Sequence, residues 1–121
     1  MAADWEHESF CYVTTRGRNT GRPHTIEIWF GAAGRTLYLL SGGGDRSDWV
    51  RNLRAEPSVS VRIGRGEEPM EATARVVEGT EEDAVARRVL AGKYQGWTEG
   101  APMSTWARTS LAVALDLERG P

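Results

Sequence analysis

Two glycine-punctuated segments carry the residue types best suited to holding an anion. The first is Arg16-Gly17-Arg18-Asn19-Thr20-Gly21-Arg22. Glycines let the main chain turn so that successive N–H groups face one point, and such concavities bind anions. Arg18 and Arg22 add charge and Thr20 adds a hydroxyl donor, so the segment suits a phosphate or a run of carboxylates. On spacing alone it also reads as a solvated hairpin turn. The second is Ser41-Gly42-Gly43-Gly44-Asp45, running into Arg46-Ser47-Asp48-Trp49. Three consecutive glycines between a strand and a helix are entropically costly. Close approach of a ligand to the main chain would explain them, because the helix start behind them offers free N–H groups and a positive dipole end. A flexible loop without ligand is the competing reading. The segment lacks the Gly-Lys-Ser/Thr ending of a Walker loop, and its antiparallel surroundings do not suit a Rossmann fingerprint.

Other chemistries find little support. His7 and His24 are far apart, without paired cysteines or HExxH spacing, so no metal site is expected. There is no GxSxG nucleophile elbow. Cys11, the single cysteine, cannot form an internal disulfide and sits between Phe10 and Tyr12, which points to a buried structural thiol. Tyr94, Trp97 and Trp106 form an aromatic-rich stretch. It reads either as satellite core packing or as a wall over a planar ring, where aromatic faces stack well.

Charge sharpens the picture. Lys93 is the only lysine among 15 basic residues. Between Arg16 and Arg65 there are nine arginines against four acids, a local excess of +5 in a chain whose net charge is −2. Arginine's planar fork matches phosphate and carboxylate oxygens. A pI near 5.7 argues against a nucleic-acid-binding barrel. No stretch approaches the roughly 20 apolar residues of a membrane span, and residues 1–10 lack a signal pattern. A cytoplasmic protein is the expectation.

These segments need a scaffold. At 121 residues the chain is expected to be one domain, 1–121. Alternation predicts strands over 9–15, 24–30, 36–40, 59–63, 71–78 and 109–117. The first three, joined by short turns at 16–23 and 32–35, predict an antiparallel meander. Helical spacing predicts helices over 46–55 and 81–91, the second with Thr80 as cap and acids in its first turn. The segments 64–69 and 92–108 read as a turn and a loop. The fold class is α+β: a six-stranded, mostly antiparallel split β-barrel with two inserted helices, closed to protect its edges. Leu111, Val113, Leu115 and Leu117 make one apolar face, on which a homodimer is expected to bury extra surface.

With these pieces in order, the chain resembles the deazaflavin (coenzyme F420)-dependent nitroreductases, relatives of the pyridoxamine 5′-phosphate oxidase-like split barrels. The resemblance rests on Gly17-Arg18-Asn19-Thr20-Gly21-Arg22-Pro23, Leu40-Ser41-Gly42-Gly43-Gly44, Trp49-Val50-Arg51-Asn52-Leu53-Arg54-Ala55-Glu56-Pro57 and Tyr94-Gln95-Gly96-Trp97-Thr98. It covers most of residues 10–117. It implies a nitroreductase- or quinone-reductase-like enzyme passing hydride from reduced F420 to a small electron-poor acceptor. FMN is the alternative cofactor, and a non-catalytic flavin or deazaflavin carrier the alternative role. It also implies that Arg18, Asn19, Thr20, Arg22 and His24 on one side, and Ser41, Gly42 and Gly43 on the other, hold the cofactor's phosphate and acidic tail. Ser41 and Tyr94 are the expected hydroxyls for stabilising or protonating the product anion. The family usually has a lysine where this chain has Gly42, which leaves Arg18 and Arg22 to supply charge.

Overall fold

The computed structural model describes residues 5–65 and 68–118; burial alternates along some of its strands, while two others are buried on both faces almost throughout. Cys11, Val13 and Thr15 are buried while the residues between them are not, which makes Cys11–Arg16 a strand, β1. Then follow β2 (Pro23–Ile28), β3 (Gly31–Ala33), β4 (Thr36–Ser41), β5 (Ser58–Ile63), β6 (Met70–Val76) and β7 (Leu111–Leu117). The helices are α1 (Asp48–Ala55), α2 (Glu81–Gln95) and α3 (Thr105–Thr109), with 3-10 turns at Trp5–His7 and Gly44–Arg46. All seven strands join one sheet in the order β2-β1-β5-β6-β7-β4-β3, every pair antiparallel.

The expected α+β split barrel is therefore present, with seven strands in place of six. The additional strand is β3, which falls in the segment read as a turn. Three residues are too few to show alternation. The expected meander is corrected as well: β2 and β4 do not pair, and β2 and β3 lie at opposite ends of the sheet. Yet only Trp29 and Phe30 separate them. Three Cα steps span at most about 11 Å, so the sheet has to curl until its edges meet.

The curl makes two apolar layers. Cys11, Val13, Phe30, Leu37, Leu39, Val61, Ile63, Val113 and Leu115 are fully buried in the larger cluster. Cross-strand register places Val13 beside Val61, Leu39 beside Val113 and Leu37 beside Leu115. On the other face of β7, Ala112 and Ala114 meet Ala86 and Leu90 of α2 together with Tyr38 and Leu40. The alanines leave room for a helix to lie close. The apolar face of β7 thus belongs to the chain's own core, and the surface on which a dimer was expected is not available. Burial in that core pushes the Cys11 thiol up to about 12, as fits a structural cysteine.

Two stretches of the segment expected to be a loop over 92–108 are helical. α2 runs through Gly92 and ends where Gly96 takes φ 63°, letting the N–H groups of Gly96 and Trp97 reach the Ala91 carbonyl. α3 is a short helix whose cap, Ser104 Oγ, accepts from the Ala107 N–H at 3.1 Å. The expected turn over 64–69 lies partly outside the described residues. Among the described residues no helix is long and apolar enough to cross a membrane.

A charged cluster fastens the start of α2 to the sheet. Arg75 on β6 donates to Glu82 at 2.7 and 3.1 Å and to Asp116 on β7 at 2.5 and 3.0 Å. Tyr38 donates to Glu82 at 2.7 Å. The Arg75 guanidinium holds both carboxyls below their ordinary range. A carboxylate whose pKa is depressed on folding stabilises above its unfolded value, and that contribution disappears as pH falls through the folded value. Arg75→Met is therefore expected to lower the thermal midpoint at neutral pH, with the gap to wild type closing as pH falls from about 7 to about 3. Midpoints measured by circular dichroism across that range check it; a constant gap would contradict the assignment.

Candidate functional site

The polar turn between β1 and β2 is built by its glycines. Gly17 N–H donates to the Arg22 carbonyl and Gly21 N–H to the Gly17 carbonyl, each at 2.7 Å. Gly21 has φ 72°, which side-chain-bearing residues rarely adopt. At Gly17 a Cβ would stand 2.8 Å from His24 Nε2 and 3.0 Å from Thr20 Oγ1. The turn therefore folds tightly over its own side chains.

Asn52, on the second turn of α1, secures it from below. Its side chain is almost fully buried. Nδ2 donates to Thr15 Oγ1 at 3.2 Å, and Oδ1 accepts from the Arg18 main-chain N–H at 3.2 Å and from Arg18 Nη1 at 2.8 Å. Arg18 Nη2 continues to Asp48 Oδ1 at 3.2 Å. Helix and turn then enclose an open cleft of about 790 Å³. The turn contributes Arg18, Asn19, Thr20 and Arg22, the start of β2 contributes His24, and α1 contributes Asp48, Trp49 and Asn52.

Five of the expected cofactor contacts thus line one cleft. Their electrostatic roles differ. Arg18 is held by Asn52 and Asp48, whereas the Arg22 guanidinium has no hydrogen-bond or ion-pair partner among the described residues. Thr20 Oγ1 accepts from the Arg22 N–H at 3.2 Å and fixes the chain that carries it. Arg22 and His24 are exposed, so the cleft presents one arginine without a partner among the described residues beside one that is already paired. Trp49 and Asn52 were quoted in the resemblance but not assigned a place in the site. The sequence holds no signal that one of them is a buried bridge, since an asparagine in a helix looks like any surface polar residue.

Ser41, Gly42, Gly43 and Tyr94 do not line this cleft. Ser41 is buried, donates to the Gly44 carbonyl at 3.2 Å and shares a 2.9 Å hydrogen bond with Ser47 Oγ. In the triple-glycine loop the backbone demand falls on Gly44, with φ 60°. At Gly43 a Cβ would stand 2.5 Å from Ser47 Oγ, while at Gly42 the nearest atom is Trp106 Cδ1 at 4.0 Å. Tyr94 accepts the Phe30 N–H at 3.1 Å, and its hydroxyl lies 2.8 Å from the Ser9 carbonyl and 3.0 Å from that of Phe30. Its ring stacks on Trp29 at 4.3 Å, and Trp106 meets Trp29 edge-on at 5.3 Å. Trp97 instead donates Nε1–H to the Ala101 carbonyl at 2.7 Å. Tyr94 and Trp106 therefore join an aromatic cluster around Trp29, half-buried against α2 and reaching the glycine loop. Among the described residues no three His, Cys, Asp or Glu are grouped to hold a metal.

Asn52→Ala removes three hydrogen bonds and leaves the Thr15 hydroxyl buried without that partner. A loss of roughly 1–3 kcal/mol of stability is expected. Urea unfolding checks it, and an unchanged midpoint would show that the bridge is dispensable.

Residues 1–113 match the family model described as F420H(2)-dependent quinone reductase. No curated protein matches the chain in sequence. Among solved structures, a conserved hypothetical protein of Mycobacterium tuberculosis superposes with a TM-score of 0.78 at 20% identity, over 95% of this chain and 76% of that one. The heme storage protein of Vibrio cholerae gives 0.72 at 17%, over 99% and 93%. An F420-H2 dependent reductase gives 0.63 at 23%, over 88% and 93%. At such identities the superpositions establish the fold. The family match extends over most of the chain: the chain belongs to the F420H(2)-dependent quinone reductase family, enzymes whose cofactor is coenzyme F420.

Proposed function

We propose that this chain reduces a small quinone with F420H2, the phosphate and acidic tail of the cofactor lying in the cleft between the β1–β2 turn and α1. The observation that carries this reading is Arg22: an exposed guanidinium without an internal partner, on a turn held rigid by glycine geometry and by Asn52. Charge-assisted hydrogen bonds from arginine to phosphate or carboxylate oxygens are strong and directional. Arg18, tied to Asp48, contributes mainly to shape, and His24 and the Thr20 and Asn19 side chains supply further polar contacts along the tail.

When bound, F420H2 supplies the hydride, and the protein's part is to hold donor and acceptor in register and keep water out. In this reading Ser41 and Tyr94 act as positioning residues. Ser41 closes the glycine loop onto Ser47, and Tyr94 holds the Trp29–Phe30 segment. The aromatic cluster of Trp29, Tyr94 and Trp106 beside Gly42 offers the flat apolar surface on which a quinone would rest. The family description favours a quinone over a nitro compound.

The test is oxidation of F420H2, followed by absorbance, with a small naphthoquinone or a nitroaromatic as acceptor. Protein-dependent turnover with the quinone is expected, and none with FMN in place of F420. Arg22→Ala should weaken cofactor binding by roughly 1.5–3 kcal/mol, about tenfold or more. Being an exposed substitution, it should move stability by less than about 0.5 kcal/mol. Unchanged cofactor affinity in the variant would overturn the assignment of the cleft, and absence of quinone turnover would overturn the acceptor.

A further inference from the structure

A second cavity, of about 520 Å³, lies away from the cleft and shares no lining residue with it. It opens between the Trp5–His7 turn, β3 and the C-terminal half of α2. The sole lysine of the chain, Lys93, is in its wall. Nothing in the proposed reduction uses this cavity.

Lys93 is poorly satisfied. Its ammonium sits 3.7 Å from the centroid of the Phe30 ring and 5.2 Å from that of Tyr94. An ammonium has three N–H donors, and the one hydrogen bond is to the Trp5 carbonyl at a long 3.4 Å. Among the described residues no carboxylate lies within ion-pair distance of it; Glu6 and Glu8 act on it only from further off. Burial disfavours its charged form and lowers its pKa from the ordinary value. Half-buried charges are normally paired and hydrogen-bonded. Among the described residues its contacts are the Phe30 and Tyr94 rings and the Trp5 carbonyl, none of them an anion, and the ammonium lies in the wall of the cavity.

The other walls say what shape would fit. Trp5 is almost fully buried, and Val89, Ala32 and Gly31 add apolar or small surface. Room at Gly31 is fixed by packing, because a Cβ there would collide with the Val89 side chain. Glu6 and His7 are exposed residues of the same cavity. A ligand matching these walls has a compact apolar body, one anionic end for Lys93 and no second negative charge toward Glu6.

We propose that this cavity is a second small-molecule site, taking a compact monocarboxylate whose carboxylate pairs with Lys93 and whose apolar body lies against Trp5 and Val89. The proposal does not depend on the assignment of the cofactor cleft.

Benzoate is the probe, with benzamide as its uncharged isostere. Both are titrated into the isotopically labelled full chain, with and without coenzyme F420, and amide resonances are followed by NMR. Benzoate is expected to shift Gly31, Ala32, Val89, Gly92 and Lys93 saturably, with benzamide binding at least about tenfold more weakly, the ratio of a lost charge-assisted bond. Lys93→Met, which keeps the volume and removes an under-paired charge, is expected to fold and to lose the discrimination between the two probes. Glu6→Gln should tighten benzoate by removing a repelling charge. No saturable shift around the cavity, equal binding of benzamide, or full benzoate binding by Lys93→Met would overturn the proposal. So would shifts confined to residues 17–26, which would put benzoate in the cofactor cleft. The comparison of the two probes on wild type needs no variant and decides the matter even if Lys93→Met fails to fold.

Discussion

The two-residue link between β2 and β3 constrains everything else in this fold. Those strands are the outer members of a seven-stranded sheet, so a link of Trp29 and Phe30 has meaning only if the sheet is curled on itself. At the seam Tyr94 of α2 touches both residues of the link. The Tyr94 hydroxyl takes the Phe30 N–H and returns its one proton to a neighbouring carbonyl, while its ring stacks on Trp29. Phe30 points inward to the core and Trp29 outward, to 37% exposure. The same alternation that makes a strand thus puts one aromatic of the link into the barrel and leaves the other at the surface.

From that closure the cleft follows. With the sheet curled, α1 packs Val50 and Leu53 inward and sits beside the end of β1. What remains is to join its polar side to the turn, and a buried amide does so more cheaply than a buried charge would. Asn52 needs no counter-ion, offers a donor and an acceptor at once, and has both used. Arg18 is thereby recruited as structure. Arg22, four residues further along the turn, is left to solvent. Two arginines of one motif end in different electrostatic states because one lies within reach of α1 and the other does not.

Much of this was legible in the sequence, and the parts that were not share a cause. Strands of six or seven residues declared themselves by alternation, as at Cys11–Arg16 and Leu111–Leu117. The arginine-glycine turn declared itself by composition. β3 and α3, of three and five residues, span less than two periods of the pattern that would reveal them. The extension of α2 was hidden by Gly92, which resembles a stop, although the true stop is Gly96. Pairing partners were misjudged because a short connection normally means adjacent strands, and only the curl of the whole sheet explains the exception at Trp29–Phe30. Hydroxyl partners are further from the sequence still: nothing in the string tells that Ser41 faces Ser47, or that Tyr94 reaches Ser9 across most of the chain.

The central claim is that the turn and α1 hold the anionic part of coenzyme F420. Its most direct test compares the affinity of the full chain for intact F420 with that for the same deazaflavin ring lacking phosphate and tail, by fluorescence titration at low and high salt. The account predicts that the intact cofactor binds at least about tenfold more tightly and that the advantage shrinks as salt rises, because an exposed arginine contact is screened. Equal affinities, or a preference indifferent to salt, would contradict it.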